Sequence, residues 1–242
     1  MDSYKTKYYE SYAKNHVAVS ERDLQNKINS RKEYFVRVYG KFFPKNKDSN
    51  IVDVGCGYGS MLYALKGLGY TNASGVDASH DQVSFAQSLG LNVVKGDAFE
   101  YLEKIPDDSI DMVITYDFIE HIGKDDLFRL IAIIRRKISR DGVWISHQPN
   151  AWSPFFSSVL YGDITHEFAY TPDSITRIMA YYDYKKCTFY EEKIAVHGLK
   201  SFVRYVLWKF IRIFFKAVDI VEIGLVRNIY TRNFLFVISF DK

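Results

Sequence analysis

Cysteine, proline, excess charge and long apolar runs are all in short supply in this chain of 242 residues. The two cysteines, Cys56 and Cys187, lie far apart and build neither a disulfide framework nor a metal cluster by themselves, so a reducing cytoplasm fits. Five prolines and fourteen glycines exclude a collagen-like chain, and 48% apolar with 25% charged residues exclude a disordered one. A net charge of +3 is too small to predict nucleic-acid binding, and none is expected. No window reaches the roughly 18 uncharged apolar residues of a membrane span. The most apolar segment, Phe202 to Val226, is interrupted by Arg204, Lys209, Arg212, Lys216, Asp219 and Glu222. Met1 to Lys14 is polar and tyrosine-rich, so no targeting segment is expected.

Aromatic residues, by contrast, are abundant. There are 19 Tyr, 18 Phe and 3 Trp, or 17% of the chain, more than a plain core explains. The length suits one α/β core with terminal additions.

Hydrophobic periodicity supplies the architecture. Ile51-Val52-Asp53-Val54 is a short β-branched run stopped by glycines, which reads as a buried strand. Further strands are expected at 73–77, 92–95, 110–115 and 142–147. Helices are expected at 60–68, from a Ser79 N-cap to 89, at 98–104 and at 124–138. Residues 1–48 read as helical and polar, 148–172 as loop-rich, and 233–240 as a last strand. Strands alternating with helices predict a doubly wound, mostly parallel α/β sheet, with an antiparallel edge from the C-terminal strands. Ligands of such sheets sit beyond the carboxyl ends of the strands, at the switch point.

The first strand runs into Gly55-Cys56-Gly57-Tyr58-Gly59. Glycines allow a sharp turn and a close backbone approach to a ligand, with free N–H groups where the helix starts. A dinucleotide fingerprint requires glycine at the sixth position, which here is Ser60, so a dehydrogenase is disfavoured. Asp53, Asp77 and Asp97 close or precede the ends of three successive strands. Each reads as a ligand carboxylate or as a helix cap.

In Val52–Gly59, Gly75-Val76-Asp77, Gly96-Asp97-Ala98 and Asp117-Phe118-Ile119-Glu120-His121, the chain resembles the class I S-adenosylmethionine-dependent methyltransferases. The resemblance covers about residues 49–150. It implies an enzyme with a Rossmann-like fold and S-adenosylmethionine as cofactor. By the same resemblance, Gly55, Gly57 and Gly59 cradle the methionyl part, with Asp53 near its amino group. Asp77 would take the ribose diol and Asp97 the adenine amine, Ala78, Ala98 and Phe99 would line the ring, and Tyr116 with Asp117 would close the methionine end.

The sulfonium is already activated, so the enzyme has to align an in-line attack and remove the acceptor's proton. If Asp117–His121 opens a helix, then Asp117, Glu120 and His121 share one face. His121 could then be a base, the three could hold a divalent metal, or Glu120 and His121 could be a structural cap. No metal is expected. His147 and Asn150 flank the end of the fifth strand as substrate residues, His147 being otherwise a buried core histidine. The loop segment Asp163-Ile164-Thr165-His166-Glu167 resembles one in methyltransferases of bacterial surface-polysaccharide biosynthesis. It offers Asp163 with His166 as an acid–base dyad and Glu167 as a substrate contact. The other reading is that His166 braces the helix start at Thr171-Pro172-Asp173. Tyr9 and Tyr12, in Tyr8-Tyr9-Glu10-Ser11-Tyr12-Ala13, resemble that subgroup too. They belong to a helical lid (1–48) in front of the cofactor core (49–150) and the acceptor-binding C-terminal part (151–242), all in one domain.

From Lys200 to Lys216, five cations and no acid accompany an apolar helical stripe. This segment could lie on an anionic membrane, pack on the sheet or pair two subunits. The expected activity is methyl transfer to a small-molecule acceptor, a sugar hydroxyl or a sugar substituent such as phosphate or phosphoramidate, for capsule or lipopolysaccharide. The expected location is the cytoplasm, at or away from the inner membrane. A membrane-associated quinone or lipid-precursor methyltransferase and a non-catalytic cofactor-binding module are the alternatives.

Overall fold

β-Branched runs buried on both faces build the centre of the sheet, as seen in a computed structural model of the chain. It describes residue 8 and residues 21–184, 186–192, 196 and 198–240. The strands are β1 (Ile51–Val54), β2 (Ala73–Asp77), β3 (Val93–Lys95), β4 (Ile110–Tyr116), β5 (Ile138–Pro149), β6 (Cys187–Glu191) and β7 (Asn233–Ser239). The helices are α1 (Glu21–Tyr39), α2 (Ser60–Gly67), α3 (His80–Ser88), α4 (Ala98–Lys104), α5 (Lys124–Lys137), α6 (Phe156–Leu160), α7 (Pro172–Tyr181) and α8 (Leu199–Ile223). The strand order is β3-β2-β1-β4-β5-β7-β6. The first five strands run parallel, and β7 enters antiparallel between β5 and β6.

Alternate residues of each central strand feed separate cores. Val52, Val54, Val113, Phe234 and Phe236 pack with Leu130, Ile131 and Ile134 of α5 on one face. Ile51, Met112, Ile114, Leu235 and Val237 pack with Leu62 and Leu65 of α2 and Phe35 and Tyr39 of α1 on the other. In α5 the spacing Leu127, Leu130, Ile131, Ile134 buries one face, while Asp125 and Asp126 in its first turn and Arg135 and Arg136 in its last complement the helix dipole. Gly75, inside β2, has no room for a side chain: a Cβ there would lie 2.8 Å from both Cys56 Sγ and Leu62 Cδ1.

Two local expectations need correction. Ser79 occupies the N-cap position of α3, but its hydroxyl caps nothing; the neighbouring Asp77 accepts from the Ser79 N–H instead (2.8 Å). Asp117–His121 does not open a helix. Asp117 sits in the left-handed region (φ 50°), and only Ile119–His121 form a 3₁₀ turn before α5 begins at Lys124. Asp117 therefore shares no face with Glu120 and His121. The expected cap at Thr171 is present as a capping box with Ser174.

α8 stands apart energetically. Of its 25 residues only Ser201 and Asp219 are buried. Asp219 anchors the helix end, accepting from the Tyr230 hydroxyl (2.6 Å) and from the Arg227 guanidinium and N–H (both 3.2 Å). Among the described residues, no helix is long and apolar enough to cross a membrane.

Candidate active site

The strand order reverses between β1 and β4, so the loops leaving them diverge and open a cavity of about 1300 Å³ at the carboxyl edge of the sheet. Asp53, Gly55, Gly57, Asp77, Ala78, Asp97, Ala98, Phe99, Tyr116, Asp117, His121 and Glu167 all line it.

The glycine turn is built for a close ligand. Gly55, Gly57 and Gly59 all have positive φ, and a Cβ on Gly57 would meet Gln82 Oε1 at 2.8 Å. Asp77 stabilises the turn, its Oδ2 accepting from Gly57 N–H at 2.8 Å. Asp97 takes the cap role. Its Oδ1 caps α4 by accepting from the N–H groups of Phe99 (2.9 Å) and Glu100 (3.0 Å), which leaves Oδ2 for a ligand. Asp53 is the most informative residue. It is 1% exposed, its Oδ1 has no hydrogen-bond partner, and burial, with the Asp77 charge beside it, pushes its carboxyl up to about 8. A buried carboxylate left unpaired is costly unless a ligand's donor or cation meets it. An ammonium group would do so, and these residues fit S-adenosylmethionine.

The family evidence agrees. Residues 52–146 match the family model described as a methyltransferase domain. That stretch of the chain is similar to a methyltransferase domain. None of the curated proteins searched matches this methyltransferase. Among solved structures, a SAM-dependent methyltransferase from Archaeoglobus fulgidus has a TM-score of 0.66 at 23% identity, covering 98% of this chain and 100% of the other. A possible histamine N-methyltransferase from Thermotoga maritima has a TM-score of 0.59 at 15% identity, covering 92% and 97%. Phosphoethanolamine N-methyltransferase 2 from Haemonchus contortus has a TM-score of 0.59 at 15%, covering 96% of this chain and 59% of that one. At these identities the likeness is one of fold.

The acceptor end of the methyltransferase's cavity departs from the sequence expectation. His147 is 2% exposed and does not line the cavity. It stacks on Tyr116 (centroids 4.4 Å, planes 4° apart), and its Nδ1 lies 2.6 Å from Asp117 Oδ1. Its Nε2 lies 3.9 Å from Glu192, an ion-pair rather than a hydrogen-bond distance. Burial opposes a charged ring, but Asp117, with Glu192, outweighs it and lifts the imidazole to about 10. Burial likewise opposes the Glu192 charge, yet His147, Tyr34 and Asn233 bring that carboxyl down to about 2. The Tyr34 hydroxyl donates to Glu192 at 2.8 Å, so α1 is tied through Glu192 and His147 to Asp117. Asn150 is fully buried and donates to the carbonyls of Ile229 (3.3 Å) and Thr231 (2.9 Å); it organises backbone and is not among the residues that line this cavity.

Asp163 and His166 do not pair directly. Burial works against the Asp163 charge, but the N–H (2.9 Å) and hydroxyl (2.7 Å) of Thr165 donate to its carboxylate and, with His121 and His166 nearby, hold its pKa below the usual range. Thr165 Oγ1 lies 2.8 Å from His121 Nδ1. Having donated its hydrogen to Asp163, Thr165 accepts from His121, so Asp163 orients His121 through Thr165. His166 meets His121 ring to ring (centroids 4.7 Å), and its Nδ1 donates to the Val159 carbonyl (2.9 Å). It is His121, not His166, that lines the cavity. Glu120 is 1% exposed with an unpartnered Oε2, and burial, then the Asp117 charge, pushes its carboxyl well above the usual range. Tyr9 and Tyr12 lie outside the described residues.

The cavity also uses residues that no motif marks. Lys27 and Arg31 of α1 face it one helical turn apart, with Leu24 and Phe35 along the same stripe. Gln82, Phe85 and Arg129 contribute from α3 and α5, and the Arg129 guanidinium sits 4.6 Å from the Phe99 ring centre. The i, i+4 spacing of Lys27 and Arg31 was visible in sequence, but nothing local says which way that face points.

Two outcomes are expected. Asp77→Ala removes charge-assisted hydrogen bonds and weakens S-adenosylmethionine binding by roughly tenfold or more, read by calorimetry; unchanged affinity would discard the ribose role. The second concerns stability. His147 has a raised folded pKa, so its contribution is complete below about 6.5 and fades as pH rises towards about 10. Urea midpoints should therefore fall more steeply between those pH values for the wild type than for His147→Gln. Parallel slopes would mean that the ring is not charged in the fold.

Proposed function

We propose that the enzyme methylates a hydroxyl oxygen of an anionic small molecule, a sugar or a substituent carried on one, for a bacterial capsule or lipopolysaccharide. The observation that carries this reading is the His121 ring, which lines the cofactor cavity in a fixed tautomer beside Glu120 and His166. When bound, S-adenosylmethionine supplies a methyl group activated on a sulfonium. The acceptor oxygen bonds to the methyl carbon as the carbon–sulfur bond breaks and its electron pair stays on sulfur. A hydroxyl must lose its proton in that step. Imidazoles held by second partners are residues suited to promoting that loss, whereas a phosphate oxygen is already ionised. Lys27 and Arg31 on the same cavity favour an acceptor that carries phosphate, such as a nucleotide-linked sugar. In this reading His121, His166 and Asp163 form the acceptor-activating group, and Glu167 contacts the acceptor.

A panel of nucleotide sugars, sugar phosphates and phosphoramidates with isotope-labelled donor, read by mass, should yield a methyl ether on a sugar hydroxyl. Transfer to none of them would overturn the assignment. On the acceptor found, His121→Ala should lower kcat by roughly 10²–10⁴-fold with donor affinity unchanged. Equal loss of both would make His121 structural.

One observation favours a second element, an acceptor presented at a membrane. Phe202, Leu207, Phe210, Ile213, Phe214 and Val221 of α8 are each more than half exposed. Lys200, Arg204, Lys209 and Lys216 border them without an acid between positions 200 and 216, while Arg212 is paired with Glu191. An amphipathic helix of this charge suits an anionic bilayer surface. Full-length protein should sediment with phosphatidylglycerol vesicles and not with phosphatidylcholine, and Phe210→Glu with Phe214→Glu should abolish it. No vesicle binding, together with dimerisation that the same substitutions dissolve, would assign the stripe to a second copy instead.

A further inference from the structure

The cluster below the acceptor end has the composition and wiring of a metal centre. Glu120, His121 and His166 each offer one ligand atom, and these atoms lie within 4.8 Å of one another. They come from two segments 45 positions apart, brought together because the Glu120 carbonyl accepts from the N–H groups of Glu167 (2.7 Å) and Phe168 (3.3 Å). The convergence is therefore built by the backbone and does not depend on three flexible side chains.

The proton positions are determined as well. The Val159 carbonyl can only accept, so His166 Nδ1 carries hydrogen and the neutral ring has its lone pair on Nε2. The Thr165 hydroxyl gives its hydrogen to Asp163, so His121 Nδ1 also carries hydrogen and its lone pair is likewise on Nε2. Metal-bound histidines show this pattern, in which the far nitrogen donates to a carbonyl or, through a relay, to a carboxylate. Within 4.8 Å of a nitrogen on each ring is a carboxylate oxygen of Glu120, a residue that is 1% exposed and whose Oε2 has no hydrogen-bond partner. A fold does not bury such an oxygen cheaply unless something else meets it.

We propose that Glu120, His121 and His166 bind a divalent transition-metal ion at the acceptor end of the cofactor cavity. Two imidazoles and one carboxylate suit zinc, manganese, iron(II) or cobalt(II) rather than the all-oxygen sites of magnesium or calcium. Asp117, the third ligand suggested by sequence spacing, is engaged by His147, and His166 takes its place. Three protein ligands leave positions open, and His121 lines the cavity. The acceptor hydroxyl would take one of those positions, become more acidic and release its proton to water before attacking the methyl carbon. This role rests on the hydroxyl acceptor proposed above; the binding of the ion does not.

The test uses the full chain, stripped with chelator and titrated with Zn²⁺ by calorimetry and with Co²⁺ by visible absorption. One ion per chain, with cobalt bands of nitrogen and oxygen ligation, is expected. His166→Ala and the more conservative His166→Gln should each weaken binding by roughly tenfold or more, with an unchanged far-ultraviolet spectrum in at least one of them. Undetectable binding to the wild type, or unchanged binding in both variants, overturns the site. Chelated enzyme that still methylates its acceptor at full rate while His121→Ala does not would also overturn it, and would leave an imidazole base with the acceptor reading intact. A bound ion with no methylated hydroxyl in the panel would support the site and remove the acceptor reading.

Discussion

A parallel sheet buried on both faces leaves little room for polar chemistry except at the ends of its strands. Val52 and Val54 on one side and Ile51 on the other are fully buried, and the same alternation continues through β4, β5 and β7. Polar atoms within those strands would lack water and partners. The ligand-facing groups therefore gather where β1, β2 and β4 run out, and the reversal of strand order between β1 and β4 separates their loops enough to hold a cofactor. Asp53 is one exception, a carboxylate inside β1 with an unpaired oxygen. Its cost is one that a ligand's donor or cation would offset.

The acceptor side follows a different physical rule, in which buried polar groups are tied into chains. Tyr34, Glu192, His147 and Asp117 connect the helix before the sheet to the strand pairing at β5 and to the mouth of the cavity. Asp163, Thr165 and His121 form a second chain, and His166 is held by Val159. Asp117 keeps a left-handed backbone, with its N–H on the His147 carbonyl at 3.0 Å and its carboxylate on the His147 ring. Rigid second partners of this kind orient a reactive group without touching the substrate. Of the buried atoms without a hydrogen-bond partner, Asp53 Oδ1 belongs to a residue lining the cavity and Glu120 Oε2 to the neighbour of His121, where a ligand can meet them.

α8 shows how differently the same chain treats apolar residues outside the core. Its attachment runs largely through polar anchors, Asp219 to Tyr230 and Arg227, and Arg212 to Glu191 at 2.8 Å. The aromatic surplus noted in the composition thus divides in two. One part is rings packed around Tyr116 and His147, such as Phe35 at 5.3 Å from Tyr116, and the other is rings on α8 turned to solvent.

Sequence by itself determined the elements whose causes are local. Short β-branched runs marked five parallel strands, four of them within a residue of their bounds, while β5 begins at Ile138, four residues before the expected 142. Thr171-Pro172 marked the start of α7, and Gly55, Gly57, Asp53, Asp77 and Asp97 marked residues that line one cavity. These are readable because strand period, capping and glycine φ depend on residues a few positions apart. What depends on docking was decided by tertiary structure alone. Asp117 left the face of Glu120 and His121 because His147, on the next strand, bound its carboxylate. His166 came to His121 because Glu167 and Phe168 bonded to the Glu120 carbonyl, and Asp163 reached His121 through Thr165 rather than pairing with His166. Lys27 and Arg31 became cavity residues only when α1 packed on the sheet. In each case the deciding contact spans tens of positions, and only the folded chain brings both ends of it together.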